Sequence, residues 1–222
     1  MSDTTRKNAS MQLDHISFAA GPDGLAETTA RLSAQLGAEF LDGGVHPRFG
    51  TRNAILPLAG NQYLEVVECL DHPASDKMAF GQLVKQVSSA GGGWMGWTVA
   101  VDDITPVEER LGRKAVPGNR RRPDGYQLEW LQIGTSDKIR DPQLPAVTQW
   151  LSQSEEHPSL MAETGVRLTA LDIAGSDQVL ADWFGEPAVT ALGGIEVRWI
   201  APNGAPGILA AEFATESGSV RL

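Results

Sequence analysis

A strand followed directly by a helix begins three times in this chain, at Leu13, Gly96 and Leu168. That recurrence limits the fold more than any single motif does. In the first round, Leu13, His15 and Ser17 alternate with Asp14, Ile16 and Phe18, the two-residue period of a strand. Gly21-Pro22-Asp23-Gly24 is a turn. Leu25, Thr28 or Thr29, Leu32 and Leu36 then recur at helical steps, and Gly37 stands where a C-cap belongs. Phe40 and Leu41 begin a return that Gly43-Gly44 breaks. Thr51 to Leu58 reads as a strand, Ala59-Gly60-Asn61 as a tight turn, and Gln62 to Cys69 as the next strand. The order is strand, helix, short strand, strand, strand.

The order returns at lower fidelity. Trp94 to Val101 is a strand, and Thr105 to Gly112 a short helix with Pro106 in its first turn. Arg120-Arg121-Arg122-Pro123-Asp124-Gly125 reads as a basic loop, and Tyr126 to Ile133 and Ala146 to Leu151 as strands. The third round has a strand from Leu168 to Ala174 and a helix from Asp177 to Phe184 ended by Gly185. Strands follow at Ala188 to Ala191, Glu196 to Ile200 and Ile208 to Phe213, with a turn at Pro202-Asn203-Gly204. Residues 1–11 are a disordered tail, 12–70 the first βαβββ unit and 71–93 a connector with a helix from Phe80 to Val87. Residues 94–151 are the second unit, and 152–222 a loop and a third, partial accessory unit. Gly91-Gly92-Gly93 in the connector is a flexible joint, because no Lys-Ser/Thr follows it as in a phosphate loop.

Composition narrows the function. A chain of 222 residues with 41% hydrophobic content can bury a globular core. Its net charge of −10 argues against nucleic acid and against an anionic membrane as partners. A single cysteine, Cys69, excludes an intramolecular disulfide and any cysteine-based zinc site. No apolar run approaches the ~20 residues of a membrane span. Met1 to Ser10 is polar, without the apolar centre of a signal peptide, so the cytoplasm is the expected compartment. Neither G-x-S-x-G nor a dinucleotide fingerprint is present, which weakens hydrolase and nicotinamide readings.

The text Leu13-Asp14-His15-Ile16, then His46-Pro47 with Phe49-Gly50-Thr51 and Asn53, then Tyr63-Leu64-Glu65, resembles the vicinal oxygen chelate superfamily, in its glyoxalase-like domain branch. The resemblance is strong over residues 12–70 and weaker beyond. It implies an α+β fold in which two βαβββ units pair side by side around a curved, open sheet that holds a pocket. In metal-using members the first strand supplies a His and the fourth a Glu, and His15 and Glu65 match those positions. The resemblance therefore implies a catalytic pair, His15 and Glu65, which would also be ligands of any bound divalent ion (Zn, Fe, Mn or Ni). The family takes two further ligands from the second unit. Aligning Met95-Gly96-Trp97-Thr98 on Leu13-Asp14-His15-Ile16 puts Trp97 at the His position, and aligning the last strands puts Gln149 near the Glu position. Trp97 cannot bind a metal and Gln149 is a weak neutral ligand, so the four-ligand set is broken.

Asn53, polar in an apolar strand, is a candidate substrate contact. His46 and Arg48 stand in a Gly-bounded loop that either fixes a turn or covers the pocket, with Arg48 or Arg52 meeting an anionic group. Trp94, Trp97, Trp130 and Trp150 are either core or an aromatic pocket wall, and Trp97, Trp130 and Gln149 join the substrate-binding candidates. His157 is a surface residue or a replacement ligand, and His72 a connector residue. Glu129 faces either the pocket or solvent. The Arg120 to Arg122 run is a solvated face or a seat for an anionic substrate tail, and Cys69 is buried packing. These residues support a small-molecule pocket with metal-assisted lyase, isomerase or dioxygenase chemistry. Two alternatives are metal-free acid–base catalysis by His15 and Glu65 and metal-free sequestration of a drug or metabolite. A homodimer also fits the resemblance, because superfamily members often complete sites across dimers.

Overall fold

A computed structural model describes residues 11–184, 192, 194–201 and 203–222. The first round comprises β1 (Met11–Ala19), α1 (Gly24–Leu36), β2 (Leu41–His46), β3 (Thr51–Leu58) and β4 (Gln62–Cys69). Two helices, α2 (Pro73–Lys77) and α3 (Ala79–Ser89), occupy the connector. The second round comprises β5 (Gly93–Val101), α4 (Thr105–Leu111), β6 (Val116–Arg121), β7 (Gln127–Ile133), α5 (Thr135–Arg140) and β8 (Ala146–Trp150). The third comprises β9 (Arg167–Ala174), α6 (Asp177–Phe184), β10 (Glu196–Ile200), β11 (Gly207–Thr215) and β12 (Gly218–Arg221). The tail over 1–10, the helix stop at Gly185, the strand expected at Ala188 to Ala191 and Pro202 of the turn lie outside the described residues.

The first eight strands form one closed barrel in the order β1-β4-β3-β2-β6-β7-β8-β5. Each βαβββ unit supplies one half. In each, the opening strand runs parallel to the last, β1 with β4 and β5 with β8. The halves join along β1 and β5, antiparallel from Met11 opposite Val101 to Ala19 opposite Gly93. The expected opening in the sheet is shut on the far side, where β2 meets β6 at the single pair Val45–Arg121. The Gly43-Gly44 pair read as a break is part of β2. Gly44 has φ of +101°, and a Cβ there would lie 2.0 Å from the Arg121 carbonyl oxygen, so only glycine lets the strands approach and close the ring.

The third round keeps the element order but not the sheet order. Its strands lie as β10-β9-β11-β12, with β9 parallel to β10 and antiparallel to β11. The opening strand thus pairs with its second and third strands instead of its last. This four-stranded sheet packs on the outside of the barrel. Leu13, Ile16, Trp97, Val99 and Val147 of the barrel share one apolar cluster with Leu171, Ile173, Ala211 and Phe213 of the second sheet. Elsewhere α1 brings Leu32 against Ala20 and Val66, and α3 sets Val84 against Ala19, Val67 and Met95. No helix among the described residues is long and apolar enough to cross a membrane.

Three substitutions check this architecture. Gly44→Ala should cost about 2–4 kcal/mol by driving β2 and β6 apart, whereas Val45→Ala, at an exposed position of the same seam, should cost under about 1 kcal/mol. Both are read from the urea midpoint. Trp97→Ala should cost about 3–5 kcal/mol, because the ring is 0% exposed in the cluster between barrel and sheet.

Candidate functional site

The inner face of the barrel is polar, and a bulge in β1 sets its chemistry. The pairing with β5 shifts register between Leu13 and His15, leaving Asp14 as the extra residue. Strict alternation would put Leu13 on the His15 face. The bulge instead sends Leu13 out to the core with Ile16 and turns Asp14 and His15 toward one another. Asp14 Oδ2 lies 2.6 Å from His15 Nδ1. Asp14 Oδ1 accepts from Trp150 Nε1 at 2.9 Å and lies 3.0 Å from His157 Nε2. Burial works to raise the Asp14 pKa, but the bonds to His15 and His157 outweigh it and hold the carboxyl well below the usual range. The His15 ring stacks on Tyr63 of β4, centroids 4.6 Å apart.

Glu65 is two residues beyond Tyr63 on the same face of β4, 6% exposed. Ser17 Oγ donates to Oε1 at 2.7 Å and Asn53 Nδ2 to Oε2 at 3.0 Å. His15 Nε2 stands 3.6 Å from Oε1. Burial alone would push the Glu65 carboxyl up; His15, His46 and the two hydrogen bonds reverse that and leave its pKa lowered. Glu65 is therefore ionised at neutral pH and fixed in orientation by a donor on each oxygen.

These groups face a cavity of about 70 Å³ that is also lined by His46, Phe49, Phe80, Trp130, Arg120 and Lys138. His46 Nδ1 lies 3.1 Å from Thr51 Oγ1, and its ring meets Trp130 edge-on at 6.3 Å. Trp130 donates Nε1 to Gln132 Oε1 at 2.8 Å. Arg120 and Lys138 are 2% and 4% exposed, and burial lowers the pKa of each while Glu65 works the other way. From sequence, Lys138 does not stand out, and Arg120 reads only as one of three loop arginines, a solvated face or an anion seat. Arg120 was read within a basic loop, but it lies in β6 with its side chain inside, while Arg121 is exposed. The signal was available, since the repeat demands a strand between α4 and β7.

Other candidates fall elsewhere. Asn53 is buried behind Glu65, holding it, and does not line the cavity. Arg48 donates to the Pro117 carbonyl across the barrel rim and Arg52 pairs with Glu68 at 2.6 Å, so neither reaches the cavity. Trp97 faces outward, donating Nε1 to the Gln143 carbonyl at 3.0 Å. Its neighbour Thr98 lies opposite His15 and lines the cavity. Gln149 accepts from the Ile104 N–H at 3.0 Å, outside the cavity, and Thr148 faces in. Both second-unit assignments are thus one residue out of register, which reverses the face. His157 serves Asp14, and His72 caps α2 through the Ala74 N–H. Glu129 is exposed and accepts from Gln127, Cys69 donates to the Gly81 carbonyl, and Trp94 packs edge-on against Phe18.

The residues present do not fit a resident divalent metal. Ser17, two residues after His15, pairs with Glu65, and Ala100, two residues after Thr98, pairs with Thr148. The repeat therefore relates His15 and Glu65 to Thr98 and Thr148, which bring neither imidazole nor carboxylate. Among the described residues no three His, Cys, Asp or Glu side chains form a metal-holding group. Arg120 and Lys138 place two cations at the same cavity.

Residues 13–187 match the glyoxalase-like domain family. No curated protein matches the chain. Among solved structures, a hypothetical protein from Staphylococcus aureus is 15% identical over 79% of this chain and 76% of its own, with a TM-score of 0.59, a likeness of fold. Methylmalonyl-CoA epimerase from Mycobacterium tuberculosis aligns over 63% of this chain and 86% of its own at 15% identity, TM-score 0.42. A methylmalonyl-CoA epimerase in complex with methylmalonyl-CoA and NH4+ aligns over 67% and 99% at 19% identity, TM-score 0.44.

His46 generates a pH prediction. Burial pushes its pKa from 6.5 down to about 4, with Glu65 opposing. Between those values the unfolded chain takes up a proton that the folded chain does not, so stability falls as pH falls through that window. The loss should reach about 3 kcal/mol at most. Urea unfolding at about pH 7 and about pH 5 should show a smaller difference in His46→Gln than in the wild type.

Proposed function

This chain belongs to the glyoxalase-like domain family of the vicinal oxygen chelate superfamily, and we propose that it binds a small metabolite inside the barrel and moves a proton on it without a metal. Glu65 accepts the proton from an acidic C–H of the ligand, the electron pair stays on the ligand as an enolate, and the proton returns at the same or a neighbouring atom. The sum is an epimerisation or isomerisation that consumes no co-reactant. The observation that carries this reading is the Glu65 carboxylate itself, buried, ionised, held on both oxygens and facing the cavity with His15 Nε2 3.6 Å away. His15, turned by Asp14, is within a small shift of exchanging that proton, and such contacts tighten when a ligand arrives.

The lowered Glu65 pKa makes it a weak base, so the ligand's C–H must be acidified by an adjacent carbonyl. The aromatic wall of Phe49, Phe80 and Trp130 excludes water and strengthens each electrostatic contact inside. The same wall serves the drug- or metabolite-sequestering alternative, in which the ligand is held and released unchanged.

The test is solvent deuterium incorporation, followed by proton NMR, into a panel of small 2-oxo acids and 2-substituted acids. Wild-type protein should catalyse exchange in at least one, and Glu65→Gln should slow it by about 10²–10⁴-fold. Ser17→Ala should raise the Glu65 pKa and shift the acidic limb of the exchange profile to higher pH. Saturable binding with no exchange across the panel would assign the barrel to sequestration.

A further inference from the structure

We infer that the barrel cavity contains an anion-binding subsite made by Arg120 and Lys138, and that the small molecule it takes carries a carboxylate. The inference deepens the reading of the barrel as the binding site, and it stands on different residues. Arg120 is 2% exposed, yet its Nε and Nη2 have no hydrogen-bond partner. A guanidinium taken out of water with open donors is costly to the folded protein. Glu65 offsets part of that cost through its charge, but its hydrogen bonds come from Ser17 and Asn53 and none from Arg120. Arg120 lines the cavity, and its two unpaired nitrogens, shielded in the ligand-free chain, meet a ligand when the guanidinium turns toward the lumen.

Lys138 makes the second half of the subsite. It comes from α5, outside the barrel wall, and is 4% exposed. Its ammonium makes no hydrogen bond or ion pair among the described residues. The stem reaches the cavity past Gly96, where φ is +127° and a Cβ would fall 2.8 Å from Lys138 Cδ. A side chain at position 96 would press on the lysine stem, and glycine leaves it room. In a chain of net charge −10, two buried cations at one cavity mark a place for a negative group.

A carboxylate fits that place. The planar guanidinium matches its two oxygens, and the ammonium supplies a point charge. The cavity of about 70 Å³ has room for a group of a few heavy atoms. The two cations also stabilise the negative charge that forms on the ligand when Glu65 removes a proton beside its carbonyl.

Trp130 and Trp150 line the cavity, so their fluorescence reports occupancy. Acetate, pyruvate, inorganic phosphate and acetamide are titrated into the full chain in a carboxylate-free buffer. Acetate and pyruvate should saturate, with phosphate weaker and acetamide giving no saturable change. Arg120→Met and Lys138→Met should each weaken the carboxylates by at least about tenfold. The ligand-free Tm of Arg120→Met should equal or exceed that of the wild type, because an unpaired buried charge has been removed. Absence of saturation by either carboxylate, equal binding of acetamide, tighter binding of phosphate, or a lowered ligand-free Tm with unchanged acetate binding in Arg120→Met would each overturn the subsite. Carboxylate binding without Glu65-dependent deuterium exchange leaves the subsite standing and removes the proton-transfer reading. Exchange that continues undiminished in Arg120→Met does the reverse.

Discussion

A carboxylate inside a closed sheet survives only if donors surround it, and the burial of Glu65 imposes that condition on much of the barrel. Ser17 of β1 and Asn53 of β3 take its two oxygens. His15 stands beyond them, turned by Asp14, and Asp14 is held by Trp150 of β8 and by His157 after β8. The chain of contacts runs through strands of both units and into the segment that leads to the second sheet. Loss of any link leaves a buried polar group unsatisfied, which costs more than the bond itself is worth. The site is therefore a structural requirement of the barrel, whatever chemistry is asked of it.

The two units, related by the same strand order, have taken different parts. The first supplies the anion and the imidazoles: Glu65, His15 and His46. The second places threonines at the related positions and adds Arg120 and Lys138. The second unit thus presents two side-chain cations to the cavity in place of a second imidazole and carboxylate. Side-chain cations are set by packing against their neighbours, so the placement of this charge depends on β6 and on the path past Gly96.

The first unit was readable because its strands alternate polar and apolar residues between plain turns, and because a parallel first and last strand bring His15 and Glu65 together. The bulge at Asp14 left no mark in the sequence, since one extra residue in a strand looks like ordinary alternation. In β5 the run Gly-Trp-Met-Gly-Trp-Thr-Val-Ala-Val is apolar on both faces. Parity could not be assigned there, so Trp97 took the place of Thr98. Arg120 was hidden by Arg121 and Arg122, because three adjacent arginines read as a solvated loop while a strand divides them between inside and outside. The closure of the sheet was hidden in Gly43-Gly44, where the same residues signal a break or a close approach and only the neighbouring strand decides.

The main apolar cluster lies between the barrel and the second sheet and meets the cavity lining only at Val147 among the described residues. Most small barrels are filled by the side chains that stabilise them, so a new specificity there has to be bought with packing. In this chain the two tasks occupy opposite sides of the same strands. Lumen residues outside the Glu65–Asp14 network, such as Phe49, Phe80 and Gln132, can diverge while the outer layer keeps the chain folded. A fold arranged this way is a tolerant starting point for evolving or engineering new ligand preferences.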